Sequence, residues 1–322
     1  MKFESYPLQF YPILKERIWG GEKLKSFLNK PIVSNVTGES WEISTVENDI
    51  SVVSNGEYQH KNLNELLDLY PEEILGTQIH TKFGKQFPLL FKFLDAKQDL
   101  SIQVHPNDEL AQKRHHSFGK TEMWYVMQAD ADAKLIIGFK ENSNQQNYIQ
   151  NLENKTLLNI LYTKTIKQGD VFFLETGTVH AIGAGSVIAE IQQTSDITYR
   201  IYDFDRKDAQ GNERELHTNL ALEVINYNKL ETKKEYSKIE NKSNEVVNCP
   251  FFTTNFIPLN GEMTFQKNKN YFRVYMCVDG DFVIGYTNKK THYKKGDTIL
   301  IPASMETFIV TGKASLLEIY IS

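Results

Sequence analysis

The chain is cut into short runs of β-branched and aromatic residues separated by Gly, Asn and Asp turns, and this punctuation excludes most architectures. Residues 87–94 (FPLLFKFL), 100–104, 123–127, 134–139, 171–174 and 187–191 are of this kind. Near the end the pattern resumes at 272–278, 282–286, 298–301, 308–310 and 316–321. Runs of this length and composition suit a pleated, half-buried surface rather than a helix. Many such strands at regular spacing point to a sandwich or barrel, so the chain reads as mainly β with a few short helices.

The expected helices are 62–75, broken or restarted by Pro71, then 107–115 opening on Asn107, a weakly amphipathic 144–161, and 213–225 as the best helix. Residues 231–248 are polar and read as a linker between residues 1–230 and a C-terminal unit over 249–322. One stretch occurs twice. KQGDVFFLETGTVH (167–180) and KKGDTILIPASMET (294–307) share a Gly-Asp turn, a four-residue apolar strand and a loop. Laid without a gap, Gly169 falls on Gly296, Asp170 on Asp297 and His180 on Thr307. Two related β units are therefore expected, of which only the first keeps the histidine.

Composition narrows the function classes. With 36 Lys+Arg against 41 Asp+Glu, the net charge of −5 leaves no basic face for a nucleic acid. No run of about 18 apolar residues is present, so no membrane-spanning helix is expected. The opening MKFESYPLQF has an early charge and no long apolar core, unlike a signal peptide, and the expected location is cytoplasmic. Cys249 and Cys277 are too few for a disulfide framework or a zinc ribbon.

Three strand segments carry the chemistry. In Gln103-Val104-His105-Pro106, residues 103 and 105 share a strand face. In GKTEMWYV, Lys120 and Glu122 do the same, and Gly177-Thr178-Val179-His180 presents a histidine where a strand ends. Each alone fits a satisfied polar pair, a charged hairpin or an idle loop histidine. Together they bring imidazole, carboxylate and amide donors into one predicted barrel. A borderline metal such as zinc needs three or four convergent donors of this kind.

The spacing resembles the two signature segments of the cupin superfamily, with Gln103 in place of one histidine and Glu175 in place of a proline. LSIQVHP, GKTEMWY, GTVHAIGAG and SDITYRIYDFDR, together with the early Trp19-Gly20-Gly21, resemble type I mannose-6-phosphate isomerases of the short bacterial form. The resemblance is clearest from about residue 6 to about residue 225. It implies tandem cupin-like β-barrels or jelly rolls. It also implies zinc held by Gln103, His105, Glu122 and His180, with Arg200 and Lys120 as the substrate-phosphate and active-site cations. Ser101 and Lys92 match further polar positions, Glu190 and Asp196 the acidic residues near the sugar, and Trp19 a wall of the cleft.

The implied activity is zinc-dependent interconversion of mannose 6-phosphate and fructose 6-phosphate through an enediol(ate), with Arg200, Lys120 and Glu190 as catalytic residues. Glu190, Asp196, Lys120 and a metal-bound water all stand as candidates for taking the C2 proton. The expected partner is a small sugar phosphate, with neither nucleic acid nor membrane. One metal per chain is expected, held by residues before 200, because Thr307 fills the histidine position in the second unit. A different metal-dependent cupin enzyme of the oxygenase type, using His105, Glu122 and His180, and a non-catalytic sugar-phosphate binder are the competing readings.

Overall fold

Alternation along the central strands decides how the layers stack. A computed structural model describes residues 2–207 and 211–321. In strand Leu89–Ala96, Phe91 and Phe93 belong to one apolar cluster and Leu94 and Ala96 to another. The neighbouring strands divide in the same way, with Met123 and Tyr125 on the first side and Trp124 and Val126 on the second. A period of two therefore gives this sheet two buried faces.

The sheet has seven strands, in the order Ile13–Gly21, Thr37–Ile43, Leu89–Ala96, Ser186–Gln193, Glu122–Ala129, Val171–Leu174 and Lys233–Lys234. Its inner face looks onto a five-stranded sheet ordered Tyr199–Tyr202, Ile102–Val104, His180–Ile182, Lys134–Phe139 and Leu161–Thr165. Trp19, Trp124, Leu135, Ile137 and Phe172 pack between the two. The sheets are cupin-like but do not close into a barrel.

The outer face packs on the C-terminal region. Tyr125 stacks on Phe256 at 6.0 Å, and Phe87 meets Phe272 at 4.8 Å. That region is a six-stranded sheet built from Asn244–Asn248, Thr253–Phe265, Phe308–Tyr320, Arg273–Tyr286 and Lys289–Lys294, with Thr298–Ile301 paired to Arg273–Tyr286. Its own interior is filled by Ile257, Phe265, Tyr275, Phe282 and their neighbours. The repeated Gly-Asp turns have one geometry. Asp170 accepts from the Lys167 N–H at 3.1 Å, and Asp297 from the Lys294 N–H at 2.8 Å. Gly169 and Gly296 both have positive φ, at 84° and 93°.

Several expectations need correction. Runs 272–278 and 282–286 form one strand, Arg273–Tyr286, and 308–310 and 316–321 form another, Phe308–Tyr320. The Asp279-Gly280 pair between the first two runs does not end the strand: it pairs with Ser315 and Ala314, directly after a bulge at Val278. A Cβ on Gly280 would lie 2.1 Å from the Lys313 carbonyl oxygen, so glycine lets the two strands pass in contact instead of ending one. Pro71 restarts the helix as expected, giving Leu63–Leu69 and Pro71–Leu75. The 144–161 helix stops at Gln145–Glu153, because Lys155 turns to φ 57° and a strand begins at Leu161. Residues 231–248, read as a linker, contribute Lys233–Lys234 to the seven-stranded sheet and Asn244–Asn248 to the six-stranded one. The 213–225 helix shrinks to Thr218–Leu222, since Glu213 bridges to Lys207 and Arg214, Glu215 and His217 bond instead to Arg200 and to Asp203. No helix among the described residues is long and apolar enough to cross a membrane.

Candidate active site

Strand register assembles the site. Across the five-stranded sheet, Arg200 stands opposite Gln103 and Gln103 opposite His180. Across the seven-stranded sheet, Trp41, Lys92, Glu190 and Trp124 form a second row. Directly opposed residues point to the same face, so each row is a continuous strip of side chains. Glu122 lies two residues from Trp124 and faces the same way.

His105, Glu122 and His180 bring one donor atom each within 4.8 Å of one another, all buried. His180 Nε2 is 3.4 Å from Glu122 Oε1, and His105 Nε2 is 3.6 Å from Oε2. His105 Nδ1 is 2.9 Å from the Ile197 carbonyl oxygen and His180 Nδ1 is 2.8 Å from that of Thr178. A carbonyl only accepts, so each Nδ1 carries the proton and each Nε2 lone pair points inward. The Gln103 amide completes the group, its Nε2 3.2 Å from His180 Nε2.

The donors fit a divalent cation. His105 Nε2 and both Glu122 carboxylate oxygens are buried with no hydrogen-bond partner, which is costly unless something occupies the space between them. Burial lowers the His180 pKa to about 4, and burial followed by the Lys120 charge puts His105 well below its usual range. Both imidazoles are therefore neutral ligands at pH 7. Burial pushes Glu122 up to about 7 against the pull of Lys120, with Glu190 adding to the rise. Without a cation, Glu122 holds a proton below that pH. Cation binding is therefore expected to release up to one proton as the pH falls below about 7, and affinity to weaken with acid. Calorimetric titration of metal-free protein with Zn2+ at about pH 6, in buffers of different ionisation enthalpy, checks this. Heats independent of the buffer would refute it.

A cleft of about 500 Å³ opens beside these donors. Trp19, Lys92, Ser101, Gln103, Lys120, Glu190, Asp196 and Arg200 all line it. Lys92 pairs with Glu190 at 3.1 Å, and Trp124 Nε1 donates to the other Glu190 oxygen at 2.9 Å. Burial opposes charge on Glu190, but Lys92 and Lys120 outweigh it and hold the carboxylate ionised. Lys120 lies 3.4 Å from Glu122; against its burial, Glu122 and Glu190 raise its pKa. Asp196 is exposed at the rim.

Among the lining residues not anticipated from the sequence are Arg17, Glu39, Trp41 and Arg214. Glu39 accepts from Arg17 at 2.8 Å and from Trp41 Nε1 at 2.6 Å; against burial, Lys92 and Arg17 hold its pKa down at about 2. The signal was present in the alternation, since Arg17 shares a strand face with Trp19 and Glu39 with Trp41. Arg214 had no such signal, because its segment was expected to be helical.

Comparison with known proteins agrees with this geometry. Residues 8–139 match the family model "Phosphomannose isomerase type I, catalytic domain", and residues 242–321 match "Mannose-6-phosphate isomerase, cupin domain". The chain is 37% identical over 312 residues to the mannose-6-phosphate isomerase ManA of Bacillus subtilis, covering 96% of both chains. It is 35% identical to the mannose-6-phosphate isomerase of Streptococcus mutans, covering 97% of each. The crystal structure of the mannose 6-phosphate isomerase from Bacillus subtilis superposes with a TM-score of 0.90 at 33% identity, covering 98% of this chain and 99% of that one.

Proposed function

The chain belongs to the type I mannose-6-phosphate isomerase family, and on that premise we propose that it interconverts mannose 6-phosphate and fructose 6-phosphate through an enediol(ate), with one zinc ion held by Gln103, His105, Glu122 and His180. One observation carries the reading. Buried donor atoms of His105 and Glu122 that lack hydrogen-bond partners converge beside a cleft that also presents Lys120, Lys92, Glu190 and Arg200. Bound zinc supplies a Lewis acid that stabilises negative charge on the substrate oxygens.

The remaining chemistry belongs to the chain. Moving the proton between C2 and C1 builds charge on an oxygen, and the fixed Lys120 ammonium stabilises it in a site from which water is largely excluded. Glu190, ionised and held by Lys92 and Trp124, is a carboxylate that does not reorient, suited to a sugar hydroxyl or to the migrating proton. Arg200, beside Gln103 in register, offers its planar fork to the phosphate, so the phosphate orients the distant carbons. Trp19 and Ser101 line the sugar's path, and Asp196 stands at its mouth.

A coupled assay of mannose 6-phosphate conversion tests the reading. Activity abolished by a chelator and restored by Zn2+ is the expected result. Metal-loaded protein without turnover would overturn it.

A further inference from the structure

His217 lies outside the cleft, yet it is bonded to Arg200 in two ways. Strand Tyr199–Tyr202 is an edge of the five-stranded sheet, so its outer N–H and C=O groups have no neighbouring strand. At Arg200 that gap is filled from residue 217. The His217 N–H donates to the Arg200 carbonyl at 2.7 Å. The Arg200 N–H donates to His217 Nδ1 at 3.1 Å, so the imidazole stands where a strand carbonyl would. The ring lies stacked on Tyr199 at 6.1 Å, and the Tyr199 hydroxyl is 2.8 Å from His115 Nε2. The same strap grips the guanidinium: Arg200 donates to the Glu215 carbonyl at 2.8 Å, and Arg214 is bound to Asp203 at 2.7 Å. These bonds replace the first part of the helix expected over 213–225.

We propose that His217 is a positioning residue for Arg200, completing the sheet edge so that the guanidinium keeps its place beside Gln103. The proposal rests on the reading that Arg200 contacts the substrate. A displacement of about 1 Å in such a group can cost on the order of 10²-fold in rate.

His217→Phe keeps the ring stack and loses the acceptor; His217→Asn keeps an acceptor on a short side chain. The expected kcat/KM for mannose 6-phosphate falls about 10- to 100-fold in His217→Phe, with zinc content and unfolding midpoint unchanged. His217→Asn should stay within about threefold of the parent, because the acceptor is what matters. In an Arg200→Ala background, His217→Phe should add no further loss, since it acts through Arg200. Parent kinetics in His217→Phe, equal losses in the Phe and Asn variants, or a full additional loss in the Arg200→Ala background would each overturn the positioning role. His217→Leu serves in the same comparison if the Phe variant does not fold. Parent kinetics in Arg200→Ala would overturn the Arg200 reading itself, and is distinguishable because it does not involve residue 217.

Discussion

Replacing His180 with alanine is expected to remove bound metal and to lower turnover by a factor on the order of 10³ or more. His180 stands at the centre of the donor group. Its Nε2 lies 3.4 Å from Glu122 and 3.2 Å from the Gln103 amide, so its loss takes one donor and frees a second. That leaves His105, Glu122 and a Gln103 amide no longer held by His180, against the three or four convergent ligands such a site needs. The fold should survive, because the backbone of His180 stays paired with Gln103 and Ile137. Elemental analysis beside the coupled assay is the check. Full metal occupancy in His180→Ala would remove the ligand assignment.

The second large effect concerns stability. Glu190→Gln preserves shape and can still accept from Trp124, but it takes the negative charge from beside Lys92. Both members of that pair are about 5% exposed. Breaking a buried pair from one side leaves an uncompensated charge, and the expected loss is about 3–5 kcal/mol in denaturant unfolding. Adding Lys92→Met should recover much of that stability while leaving the enzyme inactive, since the charge that needed a partner is gone. A loss below about 1 kcal/mol in the single variant would mean that solvent or Glu39 already balances Lys92.

Much of this was legible along the chain. A side-chain period of two placed Gln103 with His105 and Lys120 with Glu122 before any strand was paired. The Gly-Asp turns were readable because each needs a positive-φ residue and a side chain that bonds its own backbone, as Asp170 and Asp297 do. Asn107 and Asn144 announced helix starts, and both accept from the backbone N–H three residues on. Pro71, which cannot donate a helical hydrogen bond, divided its helix where expected.

Long-range bonding decided what local signals could not. Residues 213–225 have helical periodicity, yet the hydrogen bonds of Arg214, Glu215 and His217 go to Arg200 and Asp203, because an edge strand with unfilled backbone groups lies alongside. Asp279-Gly280 punctuates two apolar runs, but its pairing with Ser315 and Ala314 carries one long strand through it, after a bulge at Val278. The Trp41–Lys92–Glu190–Trp124 row exists only once register is set between strands distant in sequence. By itself, the sequence determined which residue types recur, on which face of a strand each would lie and how the turns close, because those are properties of neighbouring residues. Which faces meet was a property of the tertiary structure alone. Only there do His105, Glu122 and His180 share one buried space, with partners drawn from strands almost 80 residues apart, and only there do Lys92 and Lys120 lie close enough to hold Glu190 ionised while Glu122 and Glu190 raise the Lys120 pKa.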